Sequence, residues 1–321
     1  MIIITGGAGF IGSCIVSKFN QRGKTKLAIV DCLDHELKKK NIEKKKYSKY
    51  YDKKEFISLI RKDKLKEDVE AIFHLGACSS TTLQDAPYFE ENNFQYTLDL
   101  AQWALSKNVR FIYASSAATY GDGLQGYQDD HSRLHELKPL NLYGMSKHKF
   151  DLQALKEGWL EKIAGLKYFN VFGPNEYHKE DMRSVVAKAY QRVTEEGVMT
   201  LFKSYRNDYK DGEQKRDFIY VKDAVEATVL FYDNPKANGI FNVGTGQARM
   251  WNDLARSLFT AVGKRPNIQY IEMPEILRDK YQYFTQADVG KLKAAGYLKP
   301  FTKLEDAVFD YVKYLKGHKF L

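Results

Sequence analysis

An α/β fold, with a doubly wound parallel sheet of the Rossmann type and a smaller, discontinuous α/β lobe, is predicted by three observations. Short β-branched runs alternate with helical periods over residues 1–170, the signature of parallel strands joined by crossover helices. The first run, Ile2-Ile3-Ile4-Thr5, passes straight into Gly6-Gly7-Ala8-Gly9-Phe10-Ile11-Gly12. Beyond Phe169-Asn170-Val171-Phe172-Gly173-Pro174 the alternation breaks and the loops lengthen.

The opening segment is a strand, a glycine turn and a helix, in which Ile11, Ile15 and Phe19 recur at every fourth position. That context suits a dinucleotide. Gly6 or Gly7 permits the tight turn, Gly9 lets the backbone approach a pyrophosphate, and Gly12 lets the helix pack against the strand. The helix start offers free N–H groups to the phosphates. Leu27 to Asp31 reads as the second strand, and Asp31 stands where an acid accepts the adenosine ribose hydroxyls. Taken alone, Asp31 favours NAD. A run of lysines follows (Lys38, Lys39, Lys40, Lys44, Lys45, Lys46, Lys53 and Lys54). Most such runs are solvated faces, yet one or two of these ammonium groups can neutralise a 2′-phosphate. The residues alone leave NAD and NADP open.

Asp68 to Gly76 and Val109 to Ser115 read as two more buried strands. Ligands of open α/β sheets gather at the carboxyl ends of the strands, which places Gly76, Ala77 and Ser79 to Thr82 by the cofactor and Ser115 and Ser116 by the substrate. Tyr143 and Lys147 are one helical turn apart and share a face. The ammonium is expected to lower the phenol pKa from about 10. Tyr143 can then exchange a proton with an alcohol or ketone while a hydride moves, with Ser116 on the same oxygen. In a chain with 22 tyrosines the pair means little by itself; it gains weight from the glycine loop and the strand-end serine. Together these features indicate an enzyme that moves a hydride. His74, in an apolar run, reads as a core histidine, and no spacing of histidines and carboxylates suggests a metal.

The resembling stretches are MIIITGGAGFIGS, AIFHLGACSSTT, YASSAATYGDG, PLNLYGMSK, YFNVFGPNEYHK, RDFIYVKDA, IFNVGTG and YQYFTQADVGKLKAAGY. Through them the chain resembles, over nearly its whole length, the extended short-chain dehydrogenase/reductases that act on nucleotide sugars. GACSSTT and FTQAD narrow the likeness to the branch that inverts C6 of an ADP-linked heptose for the lipopolysaccharide inner core. The resemblance implies tightly held, recycled NADP, with NAD as the alternative. It implies catalysis by Tyr143 with Lys147 and Ser116, and Lys179 as a second base. On the cofactor side it implies Phe10, Ile11, Asp31, Cys32, Lys38, Lys53, Leu75, Gly76, Ala77, Cys78, Ser79 and Asn92. Asn170 and Val171 lie beside substrate and cofactor, with Asp181 and Lys188 in the substrate loop. Phe202, Lys203, Ser204 and Tyr205 form the nucleotide edge, Arg216 clamps the diphosphate and Tyr281 touches the substrate.

The chain departs from the family pattern in places. Leu75 replaces an acid, Cys32 an amide, and Asp181 and Lys188 stand for Ser and His. The stretches Tyr205 to Gln214 and Gly121 to Lys138 are longer than the pattern. A dehydratase carries an Asp-Glu pair after the strand-end hydroxyl, whereas here the run is Ser115-Ser116-Ala117-Ala118-Thr119-Tyr120. A UDP-hexose 4-epimerase shares the Tyr/Lys unit and stays open as the alternative. A non-catalytic dinucleotide-sensing or RNA-binding relative is disfavoured by the presence of both Tyr143 and Lys147.

The expected division is residues 1–170 and about 218–247 for the dinucleotide, with about 171–217 and 248–321 for the substrate. Gly239 to Gly244 reads as a strand rejoining the sheet; Met250 to Val262 and Leu304 to Leu315 read as amphipathic helices. The net charge of +9 comes without a nucleic-acid motif and fits an anionic substrate and cofactor, so no nucleic acid is expected. Three cysteines without metal spacing read as free thiols in a reducing cytoplasm. No apolar run approaches the roughly 18 residues of a membrane span. The resemblance implies a homo-oligomer, a pentamer.

Overall fold

A computed structural model describes residues 1–278 and 281–321. β1 (Ile2–Thr5) leads through the glycine turn to α1 (Phe10–Gln21), then β2 (Leu27–Asp31), α2 (Glu36–Glu43), β3 (Lys49–Asp52), α3 (Lys53–Arg61) and β4 (Ala71–His74). α4 (Ala86–Phe89) and a π-helical turn precede α5 (Tyr96–Ser106), β5 (Arg110–Ser116), α6 (Leu142–Lys156), β6 (Ala164–Tyr168) and β7 (Asn170–Phe172). Next come α7 (Val185–Glu195), β8 (Met199–Phe202), β9 (Lys215–Tyr220), α8 (Val221–Asp233), β10 (Gly239–Val243) and β11 (Ala248–Met250). The remaining elements are α9 (Trp251–Val262), β12 (Ile268–Ile271), α10 (Glu275–Arg278), α11 (Gly290–Ala294) and α12 (Leu304–Gly317).

Seven parallel strands form one sheet in the order β10-β6-β5-β4-β1-β2-β3. Every residue of β1, β2, β4, β6 and β10 is buried, because a parallel sheet is covered by helices on both faces. Side chains of β1 alternate between the two cores. Ile2 and Ile4 join Phe19 of α1 and Ala224 of α8, while Ile3 joins Phe56 of α3, Leu100 of α5 and Phe150 of α6. β3 (KYYD) is exposed or half-buried, the mark of a sheet edge. The sheet reverses its order between β1 and β4, and ligands of such folds collect at that switch point.

The rest of the chain adds two small sheets. β11, β9 and β7 form one and β12 with β8 the other. β10 returns to pair with β6, so the chain leaves the large sheet and comes back. The strands β7, β8, β11 and β12 are three or four residues long and carry too little periodicity to stand out in the sequence. His74 is fully buried: its Nδ1 is 2.6 Å from Thr5 Oγ1 and its Nε2 2.8 Å from Thr97 Oγ1. No helix among the described residues is long and apolar enough to cross a membrane.

Candidate active site

A cleft of about 840 Å³ opens at the carboxyl ends of the large sheet and reaches across to the small ones, a size suited to a cofactor plus substrate. At its floor, Gly6 turns the chain with φ +66°, and a Cβ there would meet Gly76 N at 2.7 Å. A Cβ on Gly12 would lie 2.1 Å from Gly6 O. Glycine is required at both positions if α1 is to start against the loop. α1 has no side-chain cap and no acid in its first turn, so its free N–H groups face the cleft uncompensated. The residues present fit a dinucleotide diphosphate.

Asp31 ends β2 with both oxygens engaged. Oδ2 accepts from Ala8 N–H at 2.9 Å, and Oδ1 accepts from Cys32 N–H at 2.8 Å. Lys38 Nζ stands 3.3 Å from Asp31 Oδ1 and 3.0 Å from Asp34 Oδ1. Burial works against the ammonium, but Asp31 and Asp34 outweigh it and hold Lys38 above the usual lysine range. Lys53 Nζ donates to Asn92 Oδ1 at 2.9 Å. The run from Leu75 to Ser79 lines the cleft and is pinned by Asn93, which accepts from Cys78 N–H at 2.8 Å and donates to Cys78 O at 2.9 Å.

The catalytic group is assembled from β5 and α6. Asn141 caps α6, its side chain accepting from Gly144 N–H at 2.8 Å. That starts the helix one residue before Tyr143 and brings Lys147 onto the same face. Ser116 ends β5 and accepts from Ala118 N–H at 3.1 Å. Tyr143, Lys147 and Ser116 all line the cleft. Burial pushes the Tyr143 phenol above its usual value, while the Ser116 hydroxyl acts in the opposite direction. Burial lowers Lys147 to about 8, with Asp151 opposing. The phenol is therefore not lowered as the spacing suggests. Desolvation is the leading cause, and what acts against it is the Ser116 hydroxyl rather than the Lys147 ammonium.

Beneath this group lies a network that sequence spacing did not disclose. Asp151, one turn beyond Lys147, accepts from Tyr113 Oη at 2.9 Å, from Ser115 Oγ at 2.8 Å and from Lys167 Nζ at 2.8 Å. The Lys167–Asp151 ion pair has no solvent exposure on either side chain. It ties β5, β6 and α6 together directly below Ser116 and Lys147.

Across the cleft, Lys179 is half-buried, with Nζ 5.4 Å from the centre of the Phe10 ring. Burial lowers its pKa, against a pull from Glu176. Arg216 is buried, its guanidinium 5.1 Å from the Tyr281 ring and 5.8 Å from that of Trp251. Asn170 and Val171 also line the cleft.

Other expected substrate residues lie elsewhere. Asp181 and Lys188 are exposed outside the cleft, and Lys188 Nζ turns back to donate to Asp181 O at 3.2 Å. Phe202 ends β8, which pairs with β12, and its ring meets the Tyr281 ring at 6.4 Å. Lys203 pairs with Glu272 at 2.6 Å. Ser204 N–H donates to Asp211 Oδ1 at 2.7 Å, and Tyr205 N–H to Tyr283 Oη at 2.9 Å. None of Phe202 to Tyr205 lines the cleft, because these partners hold the segment against β12 and the loop that follows it. Conversely, His178, Arg183, Trp251 and Gln282 line it without having been singled out. The family pattern marked His178 only as part of the YHK run.

Comparison with known proteins gives the class to which this fold and cleft belong. Residues 2–244 match the NAD dependent epimerase/dehydratase family, and the chain belongs to that family. The cradle is therefore one for a nicotinamide dinucleotide. An ADP-L-glycero-D-manno-heptose-6-epimerase of Nitratidesulfovibrio vulgaris is 52% identical over 98% of this chain and 97% of its own. One from Fusobacterium nucleatum is 46% identical over 98% of this chain and 97% of its own. The crystal structure of the Helicobacter pylori ADP-L-glycero-D-manno-heptose-6-epimerase superposes with a TM-score of 0.83 at 30% identity, covering 98% of this chain and 96% of that one.

Proposed function

We propose that this chain interconverts the two C6 epimers of ADP-glycero-D-manno-heptose, taking the D-glycero form to the L-glycero form. The observation that carries the reading is near full-length identity with relatives of that name, 52% over 98% of this chain. When bound, the nicotinamide supplies a hydride acceptor that also returns the hydride, so no net oxidation occurs. Tyr143 Oη takes or gives the proton of the C6 hydroxyl in one substrate orientation, with Ser116 Oγ hydrogen-bonded to the same oxygen. Lys147, one turn along α6, supplies the positive charge that favours the phenolate. Lys179 Nζ serves as the second base for the opposite face. Its lowered pKa supports that role, since a neutral amine is easier to reach. Arg216, buried between Trp251 and Tyr281, clamps the substrate diphosphate.

We also propose NADP as the natural dinucleotide. Lys38, shared between Asp31 at 3.3 Å and Asp34 at 3.0 Å, offsets part of their charge, which lessens the repulsion a 2′-phosphate would meet. Residues 1–170 and about 218–247 would hold the dinucleotide, and about 171–217 and 248–321 the sugar nucleotide. The resemblance further supports a cytoplasmic homo-oligomer of five copies.

The test is an incubation of the purified protein with ADP-D-glycero-D-manno-heptose and no added cofactor, with separation of the C6 epimers. Denaturation of the same preparation releases the bound dinucleotide for identification. Conversion together with released NADP is the expected result. Turnover of UDP-hexoses with no change in the heptose would replace this reading with a 4-epimerase.

A further inference from the structure

The segment Tyr177–Met182, two short 3₁₀ turns joined by a kink at Glu180 (φ +46°), forms a strap that brings His178, Lys179 and Met182 to the cleft wall. Its foundation is unusually firm for a loop. Glu176 is buried, and its carboxylate accepts from Gly173 N–H at 3.2 Å, from Ser184 N–H at 2.5 Å and from Ser184 Oγ at 2.6 Å. Asn175 is buried at φ +76° and donates through Nδ2 to Ser13 Oγ at 2.8 Å. Asn41 Nδ2 bridges the strap to the glycine loop, donating to Asn175 O at 3.1 Å and to Ala8 O at 2.9 Å.

This arrangement puts the His178 imidazole over the start of α1. A Cβ added to Gly9 would lie 4.0 Å from His178 Nε2, and the one closer group it would meet is Gly6 of the loop itself. Asn41 Nδ2, a donor, is 3.4 Å from His178 Nδ1. Both hydrogens of that amide are taken by Asn175 O and Ala8 O, so the contact leaves the tautomer to what meets Nε2, the nitrogen beside the uncapped helix terminus. Burial, followed by Lys38, Lys179 and His35, lowers His178 to about 4 against a backbone hydrogen bond to Asn175, so the ring is neutral at pH 7 with one N–H, and an anion beside Nε2 selects the tautomer that carries it there.

We propose that His178 Nε2–H donates a hydrogen bond to the diphosphate of the bound dinucleotide above Gly9. The strap thereby becomes a clamp that keeps the cofactor in place between turnovers. The proposal rests on the nicotinamide-dinucleotide reading of the cleft. It fits the proposed chemistry, in which the hydride goes out and comes back and the cofactor need never leave.

The experiment measures release of NADPH from reloaded protein, followed by its fluorescence in the presence of excess NADP+, for wild type, His178→Phe and His178→Gln. Gln offers an N–H near the position of Nε2, whereas Phe keeps the ring and removes the donor. Release about tenfold faster from His178→Phe is expected, the loss of one hydrogen bond to a charged group, with His178→Gln within about threefold of wild type. Equal release from wild type and His178→Phe would overturn the proposal. So would equally fast release from both variants with a lower melting temperature of the empty protein, which would make His178 a packing residue of the strap. Wild type that holds neither NADPH nor NADH would instead overturn the cofactor reading, and the proposal with it.

Discussion

Replacing Tyr143 by Phe is expected to lower epimerisation by about 10²–10⁴-fold, the usual contribution of a positioned acid/base group. Dinucleotide retention should stay near that of wild type, because the phenyl ring still fills the place of the Tyr143 ring beside Ser116. The change removes one hydroxyl that burial already holds in its protonated form, so unfolding free energy should shift by no more than about 1 kcal/mol. Single-turnover rates and denaturant titration on the same preparation separate the two effects. Near-normal rates from the Phe variant would remove Tyr143 from proton transfer.

Asp151→Ala should be damaging for a different reason. It leaves the Lys167 ammonium with no carboxylate in a site where neither side chain of the pair is exposed. Breaking such a pair costs about 3–5 kcal/mol, because the charge left behind is still desolvated. Lys167 would retain Thr119 Oγ1 as a hydrogen-bond partner and the Tyr120 ring at 5.1 Å, which softens the loss without replacing the carboxylate. Tyr113 and Ser115 would lose their acceptor as well. The double variant Asp151→Ala/Lys167→Met should recover a large part of the stability, since it removes the stranded charge. A loss below about 1 kcal/mol in the single variant, read by urea denaturation, would show that the network does not hold β5, β6 and α6 together.

The legible parts of this chain are those where backbone geometry leaves a mark on residue type. Gly6 and Gly12 have no room for a side chain, and the all-apolar Ile2-Ile3-Ile4 run follows from a strand covered on both faces. Both are local demands, so one stretch of sequence discloses them. The Asp151 network is not local. It joins Tyr113, Ser115 and Lys167 from two strands to a helix, and no spacing announces it. A carboxylate one turn after Lys147 reads equally well as a solvated helix face.

The substrate side was harder for the same reason. Family likeness put Phe202 to Tyr205 at the nucleotide edge; in this chain the Phe202 ring packs against Tyr281 of the cleft, and the segment continues from β8 toward Glu272, Asp211 and Tyr283. Asp181 and Lys188 face solvent where the family pattern has Ser and His. These positions sit on loops whose course depends on distant partners. Trp251 and His178 reach the cleft through the turn into α9 and through the strap on Glu176, and neither placement follows from the residues that flank them in sequence.

The central claim is that C6 is inverted by removing and returning a hydride at the same carbon. It is tested most directly with ADP-D-glycero-D-manno-heptose carrying deuterium at C6, incubated in ordinary water. Retention of the deuterium at C6 of the L-glycero product, with turnover slower than for unlabelled substrate, is the predicted result. Loss of the label to solvent would mean that C6 is deprotonated rather than oxidised, and would contradict the account.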